Sequence, residues 1–123
     1  MHELSVCQAL LAQVTEIAMD RGASAVVRIN VEVGPLSGVE PALLASAFEV
    51  ARAGSCAANA TLSITTMGVT ISCLSCGAES QTQPNLLLCG ACGAFRTRVV
   101  GGDELRLRRI ELRLPEARAA ATA

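Results

Sequence analysis

Residues 73–93 read CLSCGAESQTQPNLLLCGACG, in which Cys73-Leu74-Ser75-Cys76-Gly77 is answered by Cys89-Gly90-Ala91-Cys92-Gly93. Each half holds two cysteines separated by two residues and closes on a glycine. That spacing lets both sulfurs of a pair reach one ion, and Gly77 and Gly93 let the backbone fold back toward the thiolates. Twelve residues lie between the pairs, enough for a hairpin. Four thiolates at tetrahedral positions suit Zn²⁺ and leave no open coordination position, which makes the expected metal structural. Four unrelated core cysteines would not explain the doubled spacing. A redox dithiol is the weaker reading, because it calls for a single Cys-x-x-Cys rather than two facing knuckles. An iron–sulfur site accepts the same ligands, and spacing alone does not separate it from zinc.

Outward from the cysteines the pattern is that of another, ordinary domain. Leu4, Cys7, Leu10, Leu11, Val14, Ile17 and Ala18 recur at helical spacing, with Arg21-Gly22 as a stop, and predict a helix over 4–21. Val27, Ile29, Val31 and Val33 alternate with Arg28, Asn30 and Glu32 and predict a half-buried strand ended by Gly34-Pro35. Ser37-x-x-Glu40 has capping-box form, and Leu43, Leu44, Ala47, Phe48 and Ala51 predict a second helix closed by Gly54. Leu62 and Ile64 mark a second strand. After the module, Gly101-Gly102 leads to a last strand whose apolar set slips from Leu105 and Leu107 to Ile110, Leu112 and Leu114. A period-two strand slips phase only with an extra residue, so a bulge is expected near Arg108-Arg109. The tail from Pro115 to Ala123 has weak helical character. The expected fold class is α+β: a small three-stranded sheet with two helices, formed by residues 1–68 and 102–123, plus an inserted zinc-ribbon-like module with four cysteine ligands at 69–101.

Composition narrows the function. Hydrophobic residues make up 51% of the 123, yet Phe48 and Phe95 are the only aromatics, so the core is aliphatic and a metal staple is a natural aid to the module. Net charge is -1, against an overall nucleic-acid footprint, although seven arginines crowd residues 96–123. The absence of a signal-peptide pattern and of any apolar run of spanning length predicts a cytoplasmic protein with no membrane association, in which six cysteines serve as metal ligands or buried thiols rather than disulfides. Cys7, on an apolar face, reads as a small buried hydrophobe, and Cys56 as a half-exposed thiol.

The one histidine is His2, in Met1-His2-Glu3. The α-amine and the His2 amide would close a five-membered ring on a metal, and the His2 amide and Nδ1 a six-membered one. Two fused rings in one plane suit Ni²⁺ or Cu²⁺. Glu3, Glu40, water or a partner protein could supply the fourth position. Taken alone, a histidine at position 2 is more often just a solvated terminal residue.

The combination alters that balance. Met1-His2-Glu3-Leu4-Ser5 opening a helix, Val-Glu-Val-Gly-Pro-Leu-Ser-Gly-Val-Glu-Pro at 31–41, Ala47-Phe48-Glu49, the paired knuckles and Gly102-Asp103-Glu104-Leu105-Arg106 together resemble the HypA/HybF family of hydrogenase nickel-incorporation proteins. The resemblance runs to about residue 114. It implies a nickel metallochaperone that delivers Ni²⁺ to the large subunit of [NiFe]-hydrogenase with a companion GTPase, HypB; the lack of a catalytic constellation in the sequence makes a non-enzymatic carrier the expectation, as a monomer or weak homodimer. It maps the nickel ligand to His2, with Met1 and Glu3 contributing through the terminal backbone; Glu40 stays an accessory candidate on the reading of the residues alone. It maps the zinc ligands to Cys73, Cys76, Cys89 and Cys92. Where the family's second knuckle often carries proline after the first cysteine, this chain has Gly90; where some members add a histidine from the zinc module, this chain has none. The competing reading is a zinc-ribbon nucleic-acid or protein-interaction module, favoured by the arginine-rich end and opposed by the acidic remainder and the scarcity of stacking aromatics.

Overall fold

The computed structural model of the protein describes residues 3–115, so the tail predicted for Pro115–Ala123 lies almost wholly outside it. In chain order the elements are α1 (Glu3–Asp20), β1 (Ala25–Val33), α2 (Pro41–Ala51), β2 (Thr61–Thr66), β3 (Val69–Cys73), β4 (Glu79–Thr82), β5 (Thr97–Gly101) and β6 (Leu105–Arg113). α1 buries Cys7, Leu10, Leu11, Val14 and Ala18 along one stripe. It ends in two bonds, Gly22 N–H to Met19 O at 3.0 Å and Ala23 N–H to Ala18 O at 2.9 Å, which satisfy carbonyls that the last turn leaves open. Leu4, expected on the apolar stripe, is exposed, and Val6 packs against the core instead.

β1 is the centre of the first sheet, whose order is β2-β1-β6, parallel to β2 and antiparallel to β6. A parallel pair needs a crossover, and α2 provides it. The two helices cover one face. Between them and the sheet lie Ile29, Val31, Val33, Leu44 and Phe48 with the α1 stripe, an aliphatic core around one phenylalanine. On the other face Asn30 donates from Nδ2 to Ser63 O and Oγ and to Thr65 Oγ1 at 3.1–3.2 Å, tying β1 to β2 in register.

The expected bulge in β6 is present. Asn30 pairs with Arg109 and Val31 with Leu107, leaving Arg108 as the extra residue. A second irregularity was not legible from periodicity: Val26 pairs with Leu112 and Arg28 with Glu111, so Val27 is the extra residue of β1 and Val26 takes the buried place expected of Val27. Two smaller expectations also change. Ser37 does not cap α2; its Oγ accepts Val39 N–H in a local turn, and Glu40 is the N-cap with Pro41 following. Leu114 lies past the end of β6 and is exposed.

The second sheet has the order β4-β3-β5, antiparallel throughout, with Val69 and Ile71 buried. Residues 67–68 and 101–104 join it to the first sheet. There Gly34 N–H bonds to Glu104 O at 2.9 Å and Leu36 N–H to Gly102 O at 2.8 Å. A Cβ on Gly34 would sit 2.2 Å from Gly102 O, a backbone atom with no freedom to swing away. Gly34→Ala is therefore expected to lower stability by about 3 kcal/mol, the upper part of the usual range for overpacking. Urea unfolding checks this; a midpoint within error of the parent would show that the joint can open at little cost.

Candidate metal centre

β3 delivers Cys73 at its last residue, and the turn that follows carries Cys76. Gly77 N–H bonds back to Cys73 O at 3.0 Å and Cys73 N–H to Ala78 O at 2.9 Å. The second knuckle repeats these bonds, Gly93 N–H to Cys89 O and Cys89 N–H to Ala94 O, both at 2.9 Å. Gly77 and Gly93 have φ of 79° and 77°, a left-handed conformation that disfavours a Cβ. In each knuckle two backbone N–H groups point at the first sulfur: Ser75 and Cys76 at Cys73 Sγ, Ala91 and Cys92 at Cys89 Sγ, at 3.3–3.4 Å. The knuckles face each other with Cys73 Sγ 3.7 Å from Cys92 Sγ and Cys76 Sγ 3.6 Å from Cys89 Sγ, and all four sulfurs lie within 4.8 Å of one another. Thiolates about 2.3 Å from a tetrahedral centre would be about 3.8 Å apart, so the spacing fits one ion.

The electrostatics point the same way. The Cys76 N–H, working against burial and joined by the Ser75 N–H, holds the Cys73 thiol down at about 6. Cys89 is likewise lowered, chiefly by the Cys92 and Ala91 N–H groups. The backbone at Ala78 and Ala94 lowers Cys76 and Cys92, but the neighbouring sulfurs outweigh it: Cys76 is raised and Cys92 is pushed up to about 12. One sulfur per knuckle ionises readily and its companion resists, because adjacent thiolates repel. A divalent cation among them removes that repulsion. Four converging, backbone-supported sulfurs form a donor set that suits a resident metal.

No sequence signal marked the residues that brace this site. Ser80 Oγ on β4 accepts the Gly90 N–H at 3.1 Å. Thr97 Oγ1 on β5 donates to Leu87 O at 2.8 Å, and Thr82 Oγ1 bonds to Leu86 O, so both edge strands hold the Leu86–Leu88 segment that leads into the second knuckle. These are ordinary hydroxyl side chains whose role depends on where the strands pair.

At the other candidate site, Met1 and His2 lie outside the described residues. Glu3 opens α1, and its Oε2 accepts the Glu40 N–H at 3.1 Å. Glu40 is exposed, and as N-cap of α2 it makes no side-chain cap bond of its own. The Glu3 carboxylate thus does across two helices what the second member of a capping box does within one. Cys7 Sγ meets Leu44 O at 3.6 Å and Thr15 Oγ1 meets Cys56 Sγ at 3.7 Å. The order Glu3–Glu40, Cys7–Leu44 and then Thr15–Cys56, the last just past the end of α2, shows that α1 and α2 run side by side in one direction. Two helix N-termini converge at this end, and Glu3 and Glu40 bring negative charge to their positive poles. Leu36, bonded at the joint, and Glu40, bonded to Glu3, are four residues apart, so the end of α1 and the joint to the second sheet are separated by at most about 14 Å of chain.

Cys7 is buried, as expected, and burial pushes its thiol up; Cys56 is half-buried. Among the described residues the four-cysteine group is the one cluster of three or more His, Cys, Asp or Glu side chains arranged to hold a metal, and no helix is long and apolar enough to cross a membrane.

Comparison with known proteins gives a consistent result. A family described as "Hydrogenase/urease nickel incorporation, metallochaperone, hypA" matches residues 1–112. The hydrogenase maturation factor HypA of Nitrosospira multiformis is 45% identical over 91% of this chain and 97% of its own length. That of Aquifex aeolicus is 37% identical over the same shares. The solution structure of the Ni metallochaperone HypA from Helicobacter pylori superposes with a TM-score of 0.68 at 28% identity, covering 94% of this chain and 100% of that one.

Proposed function

We propose, from the premise that this chain belongs to the HypA family of nickel metallochaperones for hydrogenase maturation, that its amino-terminal tip carries Ni²⁺ to the large subunit of [NiFe]-hydrogenase. The α-amine of Met1, the amide nitrogen of His2 and the His2 Nδ1 are the expected planar donors. Glu3 and Glu40 are the accessory groups. The observation that carries the reading is the Glu3–Glu40 hydrogen bond, which brings the first turn of α1 against the start of α2. Residue 40 thereby stands beside Glu3 at the start of α1, which supports a role for it as an oxygen donor or as a counter-charge to an ion held by the terminus. Nickel is cargo, so an exposed end with few ligands suits it better than a closed cage.

Cys73, Cys76, Cys89 and Cys92 would hold a resident Zn²⁺, which when bound supplies structure rather than chemistry. The chain then divides into a nickel domain, residues 1–68 and 102–123, and a zinc module, residues 69–101. The two separate sheets and the narrow joint support that division. The companion GTPase HypB and the hydrogenase large subunit are the proposed partners, met in the cytoplasm by a monomer or weak homodimer.

The chemistry of the tip sets its pH dependence. A primary amine and an imidazole, with ordinary pKa values of about 7.7–8.0 and 6.5, bind metal only when deprotonated. Protons compete increasingly as pH falls, so nickel affinity is expected to drop steeply between pH 8 and pH 6. Cu²⁺ is expected to displace Ni²⁺, because a planar nitrogen set cannot escape the general affinity order of these metals. Calorimetric titration of tag-free protein tests both; an affinity flat across that pH range would remove the amine and the imidazole from the ligand set.

A further inference from the structure

α2 reads PALLASAFEVA, with Ser46 and Glu49 as its only polar residues. A helix apolar on nearly all sides is normally enclosed on all sides. Here only Leu44 and Phe48 are buried. Leu43, Ala47 and Val50, at spacings of four and three, share one flank of the helix, and Leu43 and Val50 are 55% and 71% exposed. On α1, Gln8, Thr15 and Met19 share one surface with Ala51 of α2, and Met19 is 75% exposed. A shallow groove of about 550 Å³ runs along α1 over Gln8, Leu11, Ala12, Thr15 and Met19 and meets α2 at Ala51.

The charges around the groove are of one sign. Glu16 is the single charged residue lining it. Neither helix has a basic residue in its last turn, so both negative poles point out at one end, with Asp20 beside them. Glu3 and Glu40 stand at the other end. The nearest arginines turn away: Arg21 lines a different groove with Leu107 and Ile110 of β6, and Arg52 bonds to Ala60 O and Glu49 Oε1, both at 2.7 Å. A second copy of the chain is a poor occupant, because a two-fold contact would set Glu16 and the acidic helix ends against themselves.

We propose that the α1–α2 groove docks an amphipathic helix of a partner protein, one with an apolar stripe about three turns long flanked by Arg or Lys, matching the roughly 16 Å of α1 from Gln8 to Met19 that lines it. The partner's apolar side chains cover Met19, Leu43 and Val50, and its basic flank meets Glu16 and the helix ends. Docking there does not require the tip to hold nickel.

The test uses tag-free full-length protein without nickel and two synthetic helical peptides of about 14 residues. Both carry the same leucine stripe; one has arginine and the other glutamate on its flanks. Amide shifts on titration should map to Gln8–Met19 and Leu43–Ala51, with the arginine peptide at least about ten-fold tighter. Met19→Gln with Val50→Gln should abolish that binding without altering the rest of the amide spectrum, since both side chains are mostly exposed. Glu16→Lys should narrow the preference for arginine. Equal affinities, no saturable binding, shifts outside the two helices, or full binding by the double variant would each overturn the proposal. So would a dimer of the free protein that the double variant disperses, since the occupant would then be a second copy.

Discussion

Adding one residue ahead of Met1 is expected to abolish nickel uptake while leaving the fold and the zinc content unchanged. The extension converts the α-amine into a peptide nitrogen and carries the true amine out of the five-membered ring. His2→Ala should act equally strongly by deleting the imidazole. Either change is expected to weaken nickel binding by about 1,000-fold, roughly 4 kcal/mol. Glu3→Gln should do less, because its amide oxygen still accepts the Glu40 N–H while the negative charge is lost. The fold has little reason to respond. The packed stripe of α1 begins at Val6 and Cys7, beyond all three positions. Nickel titration, circular dichroism and zinc content on tag-free protein decide the matter. Parental affinity in an extended, tag-free chain would mean that the cargo is held elsewhere, by Glu40 or by the cysteine thiols.

Cys76→Ala is the second large effect. It is expected to eliminate stoichiometric metal and to unfold residues 69–101 while the first sheet and both helices stay intact. The second sheet buries little besides Val69, Ile71, Cys73 and Cys89, so hydrophobic burial alone is a weak support for it. Zinc-linked folding free energies of about 10–16 kcal/mol in small zinc peptides give the scale of what is lost. Cys76 is the informative cysteine, since it is exposed and its removal reports ligation rather than packing. Metal analysis and amide hydrogen exchange should show rapid exchange in β3–β5 and slow exchange in β1. Zinc retained by the variant, or an iron–sulfur chromophore in the parent, would refute the assignment. Acid should act like the substitution: as pH falls, protons compete with the ion for the thiolates, first at Cys76 and Cys92, which are raised, and last at Cys73 and Cys89, which are lowered, and metal is released.

Much of the local structure is legible in the chain because its causes are local. Helical spacing and stop signals place α1 and α2 to within about a residue or two, the ordinary slack of such boundaries. The phase slip between Leu107 and Ile110 reveals the bulge at Arg108, since no regular strand can change faces that way. The bulge at Val27 leaves no such trace: Val26 and Val27 are equally apolar, and only pairing with Leu112 and Glu111 decides which of them turns inward. Ser37 and Glu40 match a capping motif by type and spacing, yet Pro41 starts the helix later, and the carboxylate that reaches Glu40 comes from the other helix.

By itself the sequence set out the donor atoms on offer. Two Cys-x-x-Cys knuckles with trailing glycines offer four thiolates to one ion, and Met1-His2-Glu3 offers the nitrogens of the proposed planar chelate, because donor type and ring size are properties of a few consecutive residues. The tertiary structure decided what meets what. It brought Cys73 to Cys92 across nineteen residues and Glu3 to Glu40 across thirty-seven. It pressed Gly34 against Gly102, turned Ser80, Thr82 and Thr97 into braces for the second knuckle, and left the α1–α2 groove open and acid-rimmed. These are consequences of strand pairing and helix packing between distant segments, and no short window of sequence contains both partners.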